Sequence, residues 1–350
     1  MTADAPVRTR FSPTLTVFAW LSFLSEVLIV ATGGTVRLTS SGLGCSDWPL
    51  CTPGSLVPTQ ELGIHGLIEF GNRTMTGAVG ILAIVVLLLT LGALGRRRDA
   101  LAAVWFAAGG LVLAVIGFAI QLPAWIPSAV LLVTVIVAAV YSLRTVPVRR
   151  DLSTLAWVVL AGVMSQAVVG GFAVLTELNA FLVGFHYVVS LLLVCVTAAF
   201  LVRLRAVPGP RERAVPLWYL VLAHVTSLVL AVTVVFGVLT TANGPHSGDD
   251  AIVRNGFDAT IMAHVHSIPG YTLAVLTIVL VAAAWTLRLP TRGWLVAFVV
   301  ALLAQIGVGV WQANSALPPL LVGTHMVIAA LLSAAYVVVI LRLKRPVSGS

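Results

Sequence analysis

Long apolar runs recur along the whole chain and are separated by short polar segments. Ten of them reach about 20 residues or more, the length that an α-helix needs to cross the hydrocarbon core of a bilayer. The predicted spans are 15–34, 67–94, 101–121, 124–145, 154–175, 181–202, 215–240, 261–287, 293–313 and 318–342. The pattern therefore predicts an all-α polytopic membrane protein.

Composition and charge agree with this prediction. Of the 350 residues, 59% are hydrophobic and 9% are charged, too few charges to cover a soluble protein. The net charge of +8 does not indicate nucleic-acid binding, because 17 of the 20 Lys and Arg fall in short clusters on one side of the membrane if every run spans. By the positive-inside rule that side, with both termini, is cytoplasmic. The outer exceptions are Arg37, Arg73 and Arg254, each either a headgroup contact or a counter-charge for an anionic ligand.

Two segments of the chain resemble each other. Residues 166–186 and 305–325 are identical at 8 of 21 positions without a gap. Each copy is the end of one helix, an outer turn and the start of the next. Chance readily matches Leu and Val in apolar sequence, but not Gln, Gly and His together. The matches of these three types are Gln166/Gln305, Gly170/Gly309, Gly184/Gly323 and His186/His325. The chain is therefore predicted to contain two related bundles.

The two halves differ in length. Aligning Asn72 with His266 extends the repeat to a second pair of helices. Asn72 and His186 in the first half are then 114 residues apart, whereas His266 and His325 in the second half are only 59 apart. The extra length in the first half matches a two-helix hairpin. We therefore predict two pseudo-symmetric four-helix bundles plus an inserted hairpin. The predicted units are 1–214, which includes the hairpin at 101–148, and 215–350.

Histidines at the outer ends of the predicted spans are the main chemical signal. In the second bundle His325 has two candidate partners, His264 and His266, which point to nearly opposite sides of one helix. The repeat alignment favours His266. Neutral imidazoles on facing helices are typical axial ligands of haem iron, although a single intramembrane histidine also serves as a buried hydrogen bond. The pattern predicts a haem site in this bundle.

The first bundle has a different set of polar residues. His186 is the counterpart of His325, but its expected partner position holds Asn72, which is not a haem ligand. His65, Glu69 and Asn72 share one helix face, so His65 is expected to approach the same pocket from nearer the outer surface. Arg73 follows directly and is expected to pair with a haem propionate. The alternative is a polar helix end with Glu69 solvated.

Two further polar features lie outside the histidines. Cys45 and Cys51 fall in the first outer loop, which faces an oxidising compartment, so we expect a disulfide. A redox role for the pair stays open, since it lies near the predicted site. Glu26 lies in the middle of the first span, where an ionised carboxylate is costly, and it is expected to be protonated or paired.

These residues together resemble the haem A synthase family. The resemblance covers nearly the whole chain except 101–148. The matching segments, in order, are GGTVRLTSSGLGCSDWPLC (33–51), HGLIEFGNRTMTG (65–77), VVGGFAVLTELNAFLVGFH (168–186), TTANGPHSGDD (240–250) and LPPLLVGTH (317–325). Two positions depart from the family pattern: Asn72 stands where a histidine is usual, and Ser267 follows His266 where an arginine is common.

The resemblance implies an oxidoreductase that converts the C8 methyl of haem O to a formyl group, giving haem A for terminal oxidases. It implies haem b as cofactor between His266, or His264, and His325. The substrate haem O would lie beside His186 with Arg73 and Arg37, and the catalytic candidates are Glu69, Asn72 and His65. A cell-membrane location among lipid and haem O synthase as supplier are also implied, and a homo-oligomer stays open.

Two other functions fit part of the pattern. A bis-histidine membrane cytochrome b in quinol electron transfer would share the histidines and the apolar bundles. It would not explain why Glu69 and Asn72 occur only in the first half. A transporter built from repeats would have its polar residues in broken helices at the midplane, whereas these histidines lie at the outer ends of the spans.

Overall fold

Membrane-length helices make up most of the chain. The computed structural model describes residues 11–94, 97–145, 148–242, 246, 248–249 and 258–347. In these residues ten helices are long and apolar enough to cross a membrane, which confirms the predicted all-α polytopic class. The helices are α1 Pro13–Leu38, α2 Gly63–Ala93, α3 Arg97–Ala119, α4 Trp125–Thr145, α5 Arg150–Leu175, α6 Ala180–Leu204, α7 Leu217–Ala242, α8 Ala259–Thr286, α9 Arg292–Ala313 and α10 Pro319–Leu341.

Capping residues set the starts of several helices. The Ser12 hydroxyl accepts a hydrogen bond from the Leu15 N–H, and Pro13 occupies the first helical position of α1. The side chains of Asn179 and Asp258 cap α6 and α8 in the same way. Such side chains satisfy N–H groups that have no partner within the helix. These starts are therefore determined locally by the sequence.

The two repeat segments form the same turn. Leu178 and Leu317, at matched positions, both have φ of 56°, and the residue before each is also left-handed. Their N–H groups donate to carbonyl oxygens five residues earlier, at Ala173 and Gln312. Left-handed backbone is uncommon for residues other than glycine, so its occurrence at matched positions shows that α5–α6 and α9–α10 are connected alike.

The helices pack around two main apolar cores. Helices α1, α2, α5 and α6 form most of the first core, where Trp157 is the largest fully buried side chain, and α3 and α4 add a few residues at its side. Helices α7 to α10 surround the second, which contains Tyr219 and Phe298. A smaller apolar contact between α1, α6 and α10 joins the two groups. The division of function between 1–214 and 215–350 stays a prediction.

Helices α3 and α4 form a hairpin at the side of the first group. They pack mainly on each other and reach the rest of the protein through α5 and α2. Gly110 on α3 lies directly against the Thr134 side chain, so a Cβ there would collide with it. Large apolar side chains such as Trp105 remain 72% exposed, as expected of a surface that faces lipid. The hairpin adds buried residues such as Ala103 and Val135 to the side of the first core.

The two ends of the protein differ in character. We call the end that carries the 39–59 loop the outer end and the opposite end the inner end. At the inner end a short strand β1, Arg211–Arg213, pairs antiparallel with β2, Lys344–Pro346. The Arg345 Nε lies 2.8 Å from the Glu212 Oε1. Sequence reasoning missed this ribbon, because three-residue strands made of charged residues have no hydrophobic alternation.

Candidate functional site

Two histidines face each other in the second helix group. His266 on α8 and His325 on α10 have ring centres 6.5 Å apart and ring planes at 78°. His264 points away: it is exposed, and its Nδ1 lies 2.8 Å from the carbonyl oxygen of Thr260 on its own helix. Of the two candidates, the structure therefore brings His266 and not His264 opposite His325.

The spacing of this pair fits a metal ion held between two imidazoles. An imidazole nitrogen binds a metal such as zinc at about 2.0–2.1 Å, and the centre of the ring lies roughly 1 Å beyond that nitrogen. Two imidazoles on opposite sides of one metal ion therefore have ring centres roughly 6 Å apart. The His266 Nδ1 lies 3.0 Å from the Thr233 carbonyl oxygen. A hydrogen bond to this carbonyl fixes the ring and leaves Nε2 for a ligand. The residues present thus fit a bis-histidine haem.

A glycine on the neighbouring helix lies against each residue at a ligand position. A Cβ added to any of these glycines would come within 3.0–3.8 Å of the facing side chain. The pairs are Gly33–Asn72 on α1 and α2, Gly170–His186 on α5 and α6, Gly237–His266 on α7 and α8, and Gly309–His325 on α9 and α10. The repeat alignment identified Gly170 and Gly309 but missed the other two, which lie in segments with little sequence similarity.

The first helix group encloses a cavity between His186 and Asn72. Eight side chains with polar groups line it: Glu26, Arg37, Asn72, Thr76, Gln166, His186, Tyr187 and Ser190. The Asn72 Oδ1 accepts a hydrogen bond of 2.7 Å from the Thr32 hydroxyl. Within the described residues, the buried Nδ1 of His186 has no hydrogen-bond partner. Buried nitrogens are normally satisfied, so the cavity has unmet bonding capacity on the His186 side.

His65 lies apart from this cavity. It is exposed at the start of α2, and its Nδ1 lies 2.9 Å from the Ser41 hydroxyl in the 39–59 loop. It does not line the cavity between Asn72 and His186. The expectation that His65 enters the same pocket from the outer side is therefore not met in this arrangement, because the first turn of α2 lies against the loop.

Glu69 and Arg73 bind the 39–59 loop. The Glu69 Oε1 lies 2.6 Å from the Arg73 Nη2, and Oε2 accepts the Cys45 N–H. Arg73 also donates to the carbonyl oxygens of Cys45, Asp47 and Leu50 over 2.8–3.1 Å. With the bonds to Glu69, all five of its N–H groups are used.

These contacts change the expected roles of the pair. In this arrangement every N–H group of Arg73 binds a protein acceptor, and its contact with a haem propionate stays a prediction. Glu69 is 4% exposed, so it is buried and not solvated. The loop that the pair holds is closed by a disulfide between Cys45 and Cys51, as the sequence predicts.

Arg37 places a positive charge at the outer end of the cavity. Its Nε and Nη2 donate to the carbonyl oxygens of His246 and Thr241 over 2.9 and 2.7 Å. The side chain therefore connects α1 to the segment after α7 while it lines the cavity. The third outer arginine, Arg254, lies outside the described residues.

Trp48 connects the disulfide loop to the hairpin. Its ring centre lies 5.0 Å from that of Phe118 on α3, edge to face, and 6.4 Å from that of Phe172 on α5. The indole lies directly against Gly171, where a Cβ would collide with it. Sequence reasoning gave Trp48 no role, because the contact joins three segments that are far apart in the chain.

A family model matches most of the chain. The model is COX15-CtaA, described as cytochrome oxidase assembly protein, and it matches residues 16–120 and 126–337. The chain belongs to this family. The match includes most of the α3–α4 hairpin as well as both helix groups, so the polytopic COX15-CtaA fold extends over nearly all the described helices.

Individual relatives match shorter stretches of this COX15-CtaA protein. A heme A synthase of Exiguobacterium sibiricum is 41% identical over 86 residues, 24% of this chain and 28% of the relative. One from Lysinibacillus sphaericus is 41% identical over 83 residues, 23% of this chain and 26% of the relative. The chain thus aligns with little more than a quarter of the length of these curated relatives.

The disulfide gives a direct prediction. In purified protein that is denatured without reductant, an alkylating reagent should label only Cys195, because the sulfurs of Cys45 and Cys51 are bonded to each other. Intact-mass spectrometry counts the labels. Protein that is reduced first serves as the control and should carry three labels. Three labels without reduction would contradict the pairing in the purified protein.

Proposed function

We propose that this protein is a haem A synthase, which oxidises the C8 methyl of haem O to a formyl group and so makes haem A for terminal oxidases. Family membership and relatives named heme A synthase support this assignment. The observation that carries it concerns two equivalent pairs of positions, one pair in each helix group, which hold different residues. At these positions one helix group has two facing histidines, His266 and His325, and the other has His186 opposite Asn72.

The histidine pair would hold haem b. His266 and His325 would hold it, supported by their ring spacing of 6.5 Å, and when bound it would supply one-electron transfer. The Thr233 carbonyl orients the His266 ring. Gly237 and Gly309 leave room for both rings. A haem held by two histidines would suit electron transfer better than oxidation of a substrate.

The His186 cavity would bind the substrate haem O. His186 would hold it from one side, while Asn72, bound to the Thr32 hydroxyl, leaves the other side without a protein ligand. An open position suits oxidation chemistry better than a closed one. The positive charge of Arg37 at the outer end would attract the propionates. His65 and Asn72 stay candidates for catalytic roles that need contact with the substrate.

Glu69 and Arg73 would act by positioning. Their bonds to the backbone around Cys45 support a role in holding the disulfide loop over the outer end of the bundle. Such a loop would exclude water from the substrate site. The requirement for Glu69 that the family resemblance implies would then arise through the loop.

The proposed setting is the cell membrane with both termini in the cytoplasm. The clustering of Lys and Arg at the inner end supports this orientation. Membrane lipid would surround the helices, and haem O synthase would supply the substrate. The rival function, a bis-histidine cytochrome b that transfers electrons from quinol, accounts for His266 and His325 but not for the His186 cavity.

The first test is the haem content of protein expressed with and without a source of haem O. Haem extracted from the purified protein and separated by chromatography should be haem B in both cases. Haem A, or its hydroxylated precursor, should appear only when haem O is supplied. Haem B alone under both conditions would favour the cytochrome.

The second test separates the two candidate ligands on α8. His266→Ala should lose haem b, because an alanine offers iron no ligand. His264→Ala should retain it, because that ring bonds its own helix. The pyridine haemochrome spectrum measures haem B per chain. Loss of haem B from the His264 variant alone would refute the assignment.

The third test concerns Glu69. Glu69→Ala should keep haem b but lower haem A formation more than about tenfold, since removing one member of a buried ion pair leaves the other uncompensated. Glu61→Ala is the matched control, an exposed acid near the start of the same helix. Extracted haem A per chain is the readout. Normal haem A formation in the Glu69 variant would exclude the proposed role.

A further inference from the structure

Two polar side chains lie deep in the substrate cavity without partners. Glu26 on α1 is 1% exposed and Gln166 on α5 is 7% exposed, and both line the cavity between His186 and Asn72. Among the described residues, the Glu26 Oε1 and both amide atoms of Gln166 make no hydrogen bond. Burying three polar atoms without hydrogen bonds in a membrane bundle costs free energy. These atoms therefore indicate a binding site for a ligand that has polar atoms of its own.

The pair lies at the opposite end of the cavity from Arg37. Glu26 precedes Arg37 by eleven residues on α1, about 16 Å along the helix axis. Gln166 precedes Gly170 by one turn, about 6 Å, and Gly170 lies at the level of the His186 ring. The cavity thus has a positive charge at its outer end, a histidine ring in between and the polar pair of Glu26 and Gln166 further in.

We propose that Glu26 and Gln166 bind the hydroxyl group of the substrate's isoprenoid side chain and so select haem O over haem B. The proposal rests on the proposed function. Haem O has its two anionic propionates on one edge and, on the opposite edge, a long isoprenoid chain with a hydroxyl on its first carbon. With the propionates towards Arg37 and the iron beside His186, the hydroxyl faces inward to the pair.

The chemistry of the two partners is complementary. A hydroxyl donates one hydrogen bond and accepts others, while the Gln166 amide donates and accepts and Glu26 offers a carboxyl oxygen. Apolar side chains of the same cavity, including Val163 and Leu193, would flank the isoprenoid chain. Haem B has a vinyl group at this position and would leave the pair unsatisfied. Sites built to bond a substrate hydroxyl discriminate strongly against analogues without it.

Binding measurements test the proposal independently of turnover. Purified protein that retains haem b is titrated with haem O or with haem B, and the Soret difference spectrum gives each Kd. Gln166→Leu and Glu26→Leu should weaken haem O binding about 3- to 10-fold, the value of one hydrogen bond, and leave haem B binding unchanged. Glu26→Gln, which keeps a hydrogen-bonding group, should remain close to wild type.

Thr197→Val is the matched control. It removes a buried hydroxyl from the same helix group that bonds its own helix and does not line the cavity, so neither haem should bind differently. Equal weakening of both haems by the Gln166 and Glu26 variants would overturn the proposal, because the pair would then only shape the cavity. Unchanged binding of both would overturn it too, and would indicate bound water. If wild-type protein with haem b bound no haem O, the proposed function itself would fail.

Discussion

Close packing between paired helices is the constraint on which the polar sites depend: each inward-pointing histidine ring lies against a glycine of the facing helix. The bundle interior is the place for a polar side chain in lipid, but interhelical space there is filled. A Cβ at Gly237 or Gly309 would come within 3.0 Å of the facing histidine ring, and one at Gly170 within 3.4 Å. Each glycine lies on the helix that packs against the one carrying its histidine. The positions of the rings therefore depend on how the two helices pack together.

The same constraint makes the departure at Asn72 informative. Gly33 faces the fourth position at 3.8 Å, and the residue there is an asparagine that accepts a hydrogen bond from Thr32. This position therefore has an amide where the other three have an imidazole. A duplicated architecture thus provides two chemically different positions, and the proposed division between an electron carrier and a substrate site follows from that difference.

The outer end adds a second layer of organisation. The disulfide loop is fixed from below by Glu69 and Arg73 and from the side by Trp48, which packs against Phe118 of the hairpin. The hairpin therefore contributes to the outer surface as well as to the side of the first apolar core. These contacts use backbone carbonyls and one indole, so they depend on the loop's conformation more than on its side chains.

The sequence by itself determined the ten spans, the repeated turn and the pairing of His325 with α8, because apolar length, glycine and histidine spacing are local properties of a chain in a membrane. The choice of His266 over His264, the outward position of His65 and the use of Arg73 by loop carbonyls were decided only by the tertiary structure. These three features depend on the rotation of a helix about its axis and on which loop packs against it. Packing between distant segments fixes both the rotation and the loop contact, so neighbouring residues in the chain do not determine them.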